Sequence, residues 1–392
     1  MAMERTGAGD ASSPRSRQRR ALILATAGPL LHQRGYDRVS MGDLAVVAGV
    51  GPSALYRHFP GKSALLAEVL GERMTDVLTR LTDLDFADRD QTGVRLAGIA
   101  ADNRMFGALW EREARHLSQD DLVRLRAEVR GLGRTMRDHV ARQRPDLAPA
   151  EAEFIGWAVV GAHNSLSFHH LALPGDELAR LMGDLAFRIV ATPIRIGTPA
   201  PRAAGQPAGL EPASRREALL LRAVPMFARH GYSRVSIEEV GAAVGISGPS
   251  VYNHFGTKEE LLVTAMRRGM GLLFAELHSV LARTSDPAEA MRAVLDSYLR
   301  FAFGQHDLVE LLVSEVRSLS EVRRTLLAAQ RNYVTEWVHL RQQTHPDEGP
   351  VAARIRVHAV LTVINDIVRM PRQRHQTDAA EALRAVTLAM LE

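Results

Sequence analysis

The chain has 392 residues, 46% of them hydrophobic, with no cysteine and a formal net charge of +4. That length suits two or three domains with real cores, and the missing cysteine excludes a disulfide framework, a thiol nucleophile and a thiolate metal site. A reducing cytoplasm fits such a chain, and no uninterrupted apolar run reaches the roughly 18 residues that a membrane span needs.

Residues 1–14 read as a disordered tail. The run Arg15 to Arg20 followed by apolar Ala21 to Leu31 has the outline of an export signal. The same pattern recurs mid-chain from Arg215 to Arg222, where no leader acts, so both read as amphipathic helices. Gly35 suits a left-handed residue ending that first helix. Ser40 then caps a second helix through a weak capping box, Ser40-Met41-Gly42-Asp43. Gly49 closes it after about two turns, a third helix carries Tyr56, and Gly61-Lys62 opens a fourth. Short helix, glycine turn, short helix is the outline of a helix-turn-helix, here assigned to a head spanning 15–66. Residues 67–192 form a helical body by their 3.6-type spacing. Five prolines and three glycines in 193–213 mark a linker. A second head spans 214–262, with Gly231, Ser236, Gly245 and Tyr252 in the corresponding places. It has capping boxes at Ser236-Ile237-Glu238-Glu239 and Thr257-Lys258-Glu259-Glu260. A second helical body occupies 263–392.

The two heads are copies. Residues 35–66 and 231–262, compared without gaps, share 12 of 32 positions. The chain's only lysines, Lys62 and Lys258, lie 196 residues apart at the same place in the two copies. A cation in the first turn of a helix opposes the macrodipole, while free amides there form an anion site. The repeated lysine therefore reads as a point charge set against an external phosphate. Charge separates the copies: 14–66 carries eight basic and two acidic residues, whereas 214–262 carries six basic and five acidic, or +6 against +1. The bodies have diverged further, with Glu113-Ala114-Arg115-His116-Leu117 matching Glu315-Val316-Arg317-Ser318-Leu319 at an offset of 202.

Three stretches carry a family likeness: Gly35 to Ser40, Val46 to Val50 and Leu55 to Leu66, with their counterparts in the second copy. On these the sequence resembles the TetR family of bacterial transcriptional regulators, twice in one polypeptide. The resemblance implies an all-α fold of two TetR-like repeats, each a three-helix head on a helical body. The bodies would pack as an intrachain pseudo-dimer, with further homodimerisation open. It implies a double-stranded DNA operator as partner, with Ser40, Ser53, Tyr56, Arg57, His58 and Lys62 of the first head facing it. Ser236, Ser250, Tyr252, Asn253, His254 and Lys258 face it from the second. Tyrosine, histidine and lysine supply donors for phosphate oxygens. Arginine favours guanine and asparagine favours adenine, so Arg57 and Asn253 predict two non-identical half-sites. Phe59 and Phe255 lock the third helix to the core.

The resemblance also implies a small, largely apolar effector that releases a repressor from DNA. Phe106, Trp110, Phe154, Trp157, His163, Asn164 and Phe168 are candidates to line one cavity. Phe303, Tyr333, Trp337 and Asn365 are candidates for a second, with ordinary core packing of these aromatics as the alternative. No cofactor or metal is expected: His163, His169 and His170 lack a metal-type spacing, and no phosphate loop or nucleophile elbow is present. A second functional reading keeps one head on DNA and makes the other repeat a protein-interaction or dimerisation module.

Overall fold

A computed structural model of the chain describes residues 14–84, 89–197, 210–316, 319 and 323–392. The expected tail over 1–13, linker residues 198–209, and Arg317 and Ser318 of the body motif lie outside the described residues. The described residues are helical throughout, apart from turns and one isolated bridge between Gly197 and Thr377.

The first repeat contains α1 (Pro14–Arg34), α2 (Met41–Val47), α3 (Pro52–His58), α4 (Lys62–Thr82), α5 (Arg89–Asp102), α6 (Arg104–Glu113), α7 (Gln119–Gln143), α8 (Pro149–Asn164) and α9 (Gly175–Ala191). The second contains α10 (Arg215–His230), α11 (Ile237–Ala242), α12 (Gly248–Val251), α13 (Lys258–Leu281), α14 (Pro287–Gly304), α15 (His306–Ser314), α16 (Arg323–Thr344), α17 (Pro350–Arg369), α18 (Pro371–Arg374) and α19 (Ala379–Leu391).

Among these residues two compact units form. One holds the chain up to Asp83 with Ala101–Thr135, and the other holds Leu84–Ala100 with Met136–Glu392. The proposed body 67–192 is therefore divided, because α6 packs on α1 and α4 of the first head. The second head instead shares a unit with the bundle, where α10 packs on α13 and α15.

Each head closes around an apolar interior. Leu55, Phe59, Leu65 and Leu66 are at most 1% exposed, as are Val251, Phe255, Leu261 and Leu262. Phe59 and Phe255 thus fix the third helix as expected; cutting either back to alanine costs about 3–5 kcal/mol. The turns are duplicated in their backbone. Gly35 and Gly231 hold φ of +83° and +85°, and Gly49 and Gly245 hold +64° and +73°. A side chain at φ > 0 is strained. At Gly231 the ψ of 136° departs from the left-handed helical value expected there. After α2 the amide of Val50 donates to Ala45 O, and after α11 that of Ile246 donates to Gly241 O. These are the six-to-one bonds of a glycine C-cap.

In the second unit α17 is buried nearly all round, which marks it as the central helix. It packs on α8, while α9 packs on α19. Helices from both repeats therefore build one bundle inside one chain, the intrachain pseudo-dimer. Asn164 Nδ2 donates to Asp366 Oδ2 at 3.1 Å and Arg356 reaches Asp184 Oδ2 at 3.4 Å across it. Arg341 and Arg356 are buried, and both hold Glu348, at 2.6 and 2.8 Å. Breaking one partner of such a buried pair is costly, because it strands the other charge.

Candidate nucleic-acid interface

The second helix of each head begins on a complete capping box. Ser40 N donates to Asp43 Oδ2 at 2.8 Å and Asp43 N donates to Ser40 Oγ at 3.1 Å; the second copy repeats this with Ser236 and Glu239 at 2.7 and 3.1 Å. The first box, read from sequence as the weaker, is as complete as the second because an aspartate reaches the same amide. These hydrogen bonds hold the Asp43 and Glu239 carboxyls below their ordinary range. Ser40 and Ser236 are thus engaged as caps.

Tyr56 and Arg57 are exposed on α3, and Tyr252 and Asn253 are exposed in the second head. Ser53 is exposed near the start of α3, while Ser250 shares a 2.8 Å hydroxyl hydrogen bond with Ser247. His58 is half-buried, and burial first, then Arg19, Arg57 and Arg20, hold its pKa below the usual imidazole value. It therefore presents a neutral ring near pH 7, with one N–H donor. In the second head α12 stops at Val251, so Tyr252 and His254 stand in a turn beyond the helix where one was expected to carry Tyr252.

The lysines differ most from expectation. Lys62 Nζ donates to Tyr36 O and, at 2.7 Å, to Val39 O, and lies 4.0 Å from the centre of the Tyr36 ring. Lys258 does the same with Tyr232 O at 2.8 Å, Val235 O at 2.9 Å and the Tyr232 ring at 4.4 Å. Each ammonium ties the start of the fourth helix to the loop between the first two, where the sequence suggests a charge aimed outward at phosphate. Two carbonyls and a ring face compensate a half-buried cation. Burial lowers the Lys258 pKa and raises that of Tyr232 to about 12. A buried glutamate completes each clasp: Glu113 accepts from the Tyr36 amide, and Glu315 accepts from that of Tyr232 at 3.4 Å. Sequence reasoning noticed these glutamates only as traces of duplication. The equal spacing of Tyr36 to Lys62 and Tyr232 to Lys258 was the signal that links them.

The two matching helix-turn-helix heads are also the two segments that a known family model matches. The model of bacterial regulatory proteins of the tetR family matches residues 23–69 and again 219–265. The chain belongs to the TetR family. As a tandem TetR-family protein it is a DNA-binding transcriptional regulator. It is 27% identical over 158 residues to the HTH-type transcriptional repressor KstR2 of Mycolicibacterium smegmatis, covering 40% of this chain and 77% of that one. It is 31% identical over 93 residues to the HTH-type transcriptional activator FasR of the same organism, covering 24% and 42%. Among solved structures, KstR2 of Mycobacterium tuberculosis matches with a TM-score of 0.41 at 24% identity, covering 45% of this chain and 95% of that one. PfmR of Thermus thermophilus matches at 0.41 and 25%, covering 46% and 97%. Among the described residues no helix is long and apolar enough to cross a membrane.

The candidate effector residues fall into packed surroundings. Phe106 and Trp110 stack at 6.4 Å against the first head's core, and Phe106 lines a cavity of about 70 Å³ with Leu24, Gly28 and Met105. Phe154 is fully buried, Trp157 and Phe168 are half-buried, and Asn164 is spent on Asp366 in the bundle. His163 is buried with Nδ1 on Val159 O at 2.9 Å, and its pKa is lowered by that burial. In the second body Tyr333 and Trp337 pack edge-on at 6.3 Å, and Tyr298 donates to Asn365 Oδ1 at 2.8 Å. Phe303 is half-buried nearby in sequence on α14. A cavity of about 10 Å³ among Thr92, Leu96, Met136 and Val159 is too small for a ligand and draws on none of these candidates.

Proposed function

We propose that the chain is a ligand-released repressor whose two heads read non-identical half-sites of one operator. The observation that carries this is the pair Arg57 and Asn253. Both are exposed at the same place in two copies of one head, yet their side chains read different bases. Tyr56, His58, Tyr252 and His254 are the backbone-phosphate donors of this reading, with Ser53 and Ser250 at the start of each recognition segment. Lys62 and Lys258 act behind them, by holding the fourth helix in place. Likeness to KstR2, named as a repressor and covered over 77% of its length, supports the sign of regulation more than likeness to FasR, named as an activator and covered over 42%.

For the effector, the reading favours the second body. Tyr333 and Trp337 offer apolar faces there, and Tyr298 and Asn365, now hydrogen-bonded to each other, are the polar pair that a largely apolar ligand with one polar end would have to engage. Ligand binding there acts by favouring a body conformation in which the heads no longer match their half-sites.

The test is to select the operator from a random-sequence pool and substitute each base pair in turn. Mirrored positions in the two halves should give unequal losses, each about 1–3 kcal/mol where a bidentate contact is lost. Arg57→Ala should relax preference in one half and Asn253→Ala in the other. Equal losses at mirrored positions would reject the asymmetric operator.

A further inference from the structure

The heads differ in side chains at the rim where the fourth helix begins. Ahead of α4 stands Gly61; no side chain caps that end, and its first turn carries no acid. Ahead of α13 the same place is filled. Thr257 Oγ1 accepts from Glu260 N at 2.9 Å, Glu260 Oε2 accepts from Gly256 N at 2.7 Å, and Glu259 stands beside them. The capping box read there from sequence is thus half-formed, because the carboxylate reaches one residue further back. Arg216 seals the other side: it donates to His254 O, lies 3.9 Å over the Phe255 ring and comes within 3.9 Å of Glu260 Oε1.

The recognition segments differ independently of that rim. α3 runs for seven residues and ends with Phe59 N on Leu55 O, as Phe255 N bonds to Val251 O in the second head. α12 runs for four, after which the amides of Tyr252, Asn253 and His254 bond three residues back, at 3.3, 3.3 and 2.9 Å. Glu238 packs so closely on Gly248, at the start of α12, that a Cβ there would lie 2.9 Å from Glu238 Cγ. A phosphate nearing α4 meets open amides, whereas one nearing α13 meets two carboxylates. One of them has already taken a loop amide.

We infer that Thr257, Glu259 and Glu260 are specificity-determining residues that withhold the backbone clamp from the second head. DNA affinity then rests mainly on the first head, and the second adds base discrimination with the Tyr252 and His254 contacts but no phosphate held at the start of its fourth helix. This rests on the two-headed reading of the operator given above. It makes a duplex matched only to the first half-site a near-full ligand, and one matched only to the second a poor one.

The test uses the full chain carrying E259Q/E260Q, titrated and footprinted on the operator selected by the unsubstituted chain over a series of salt concentrations. Glutamine at 260 keeps an acceptor for the Gly256 amide, and a thermal melt confirms the fold. A control, E177Q/E381Q on α9 and α19, makes the same change in net charge. The expected result is binding roughly tenfold tighter at low salt, with a salt slope steeper by about 0.9 for each phosphate gained. Protection should also extend over the second half-site, with the control unchanged. Unaltered affinity, slope and footprint overturn the inference while leaving the asymmetric operator standing, and so does an equal gain in the control. A footprint confined to one half-site in every variant also overturns it, in favour of a protein-interaction role for the second repeat. If the unsubstituted chain selects no sequence at all, the inference and the two-headed reading fall together.

Discussion

The first and second heads share a skeleton and differ in their rims. Both have paired glycines at positive φ, a complete capping box, a buried phenylalanine and a lysine clasped by two carbonyls and a tyrosine ring. Outside that skeleton Tyr56, His58 and Arg20 recur as Tyr252, His254 and Arg216, while other positions differ. Arg57 stands where the second head has Asn253, and Gly61 where it has Thr257. One ion pair between first and fourth helices has its polarity reversed: Arg20 pairs with Glu68 and Glu72, whereas Arg268 pairs with Glu217, although Arg216, in the place of Arg20, keeps the first polarity with Glu260. A duplicated head keeps the groups its backbone cannot lose, together with the exposed tyrosine and the half-buried histidine beside it, and varies other groups that face outward.

The largest expected effect breaks the shared part. Replacing Lys62 or Lys258 by methionine keeps the apolar stem but leaves two carbonyls without their charged donor, at a cost of about 2–3 kcal/mol in either head. Hydrogen exchange should rise over residues 35–40 in one variant and 231–236 in the other, by similar factors. A phosphate role for either lysine predicts the opposite pattern: unchanged protection, and a salt slope of DNA binding lower by about one unit.

The lysine also shows where sequence reading stops. Capping boxes, glycine turns and buried phenylalanines were legible because each is local, set by residues within a turn or two of one another. The lysine's acceptors are main-chain carbonyls 26 and 23 residues upstream, and a backbone acceptor leaves no mark on side-chain identity. The same limit explains Asn164, read as a cavity residue but bonded to Asp366, 202 residues on. Pro29 and Pro225, inside α1 and α10, are themselves a duplicated pair. A proline within a helix argues against that helix locally, and only packing of the whole face outweighs it. The tandem organisation was legible because repetition is itself a sequence property.

A smaller effect tests the reversed ion pair. Glu217→Lys sets a third cation beside Arg216 and Arg268 on the α10 and α13 surface. It should destabilise the second head by no more than about 1 kcal/mol, because both partners are solvated. Adding Arg268→Glu restores a pair of the first head's polarity and should recover most of the loss. A double-mutant cycle from urea denaturation measures the coupling, which should shrink in high salt. A cycle showing no coupling would make this reversal incidental.

The smallest effect is a pH dependence centred on the first head. The His58 pKa is held down by burial first and then by Arg19, Arg57 and Arg20. In the free protein this depressed value contributes stability that is present above the unfolded pKa of about 6.5 and is lost as pH falls through the folded value. A bound phosphate beside the ring opposes the arginines and raises the pKa, so DNA binding takes up a proton. Affinity should therefore rise by a few-fold between pH 8 and pH 6, and His58→Gln should abolish that rise without moving affinity at pH 8. Arg57→Asn gives the first head the second head's residue and removes one of the minor causes, so it should shift the rise only slightly towards higher pH. Burial remains the dominant cause. A large shift in that variant would mean that the arginines, and not burial, govern the ring, and the charge difference between the heads would then reach further into their chemistry than the rim.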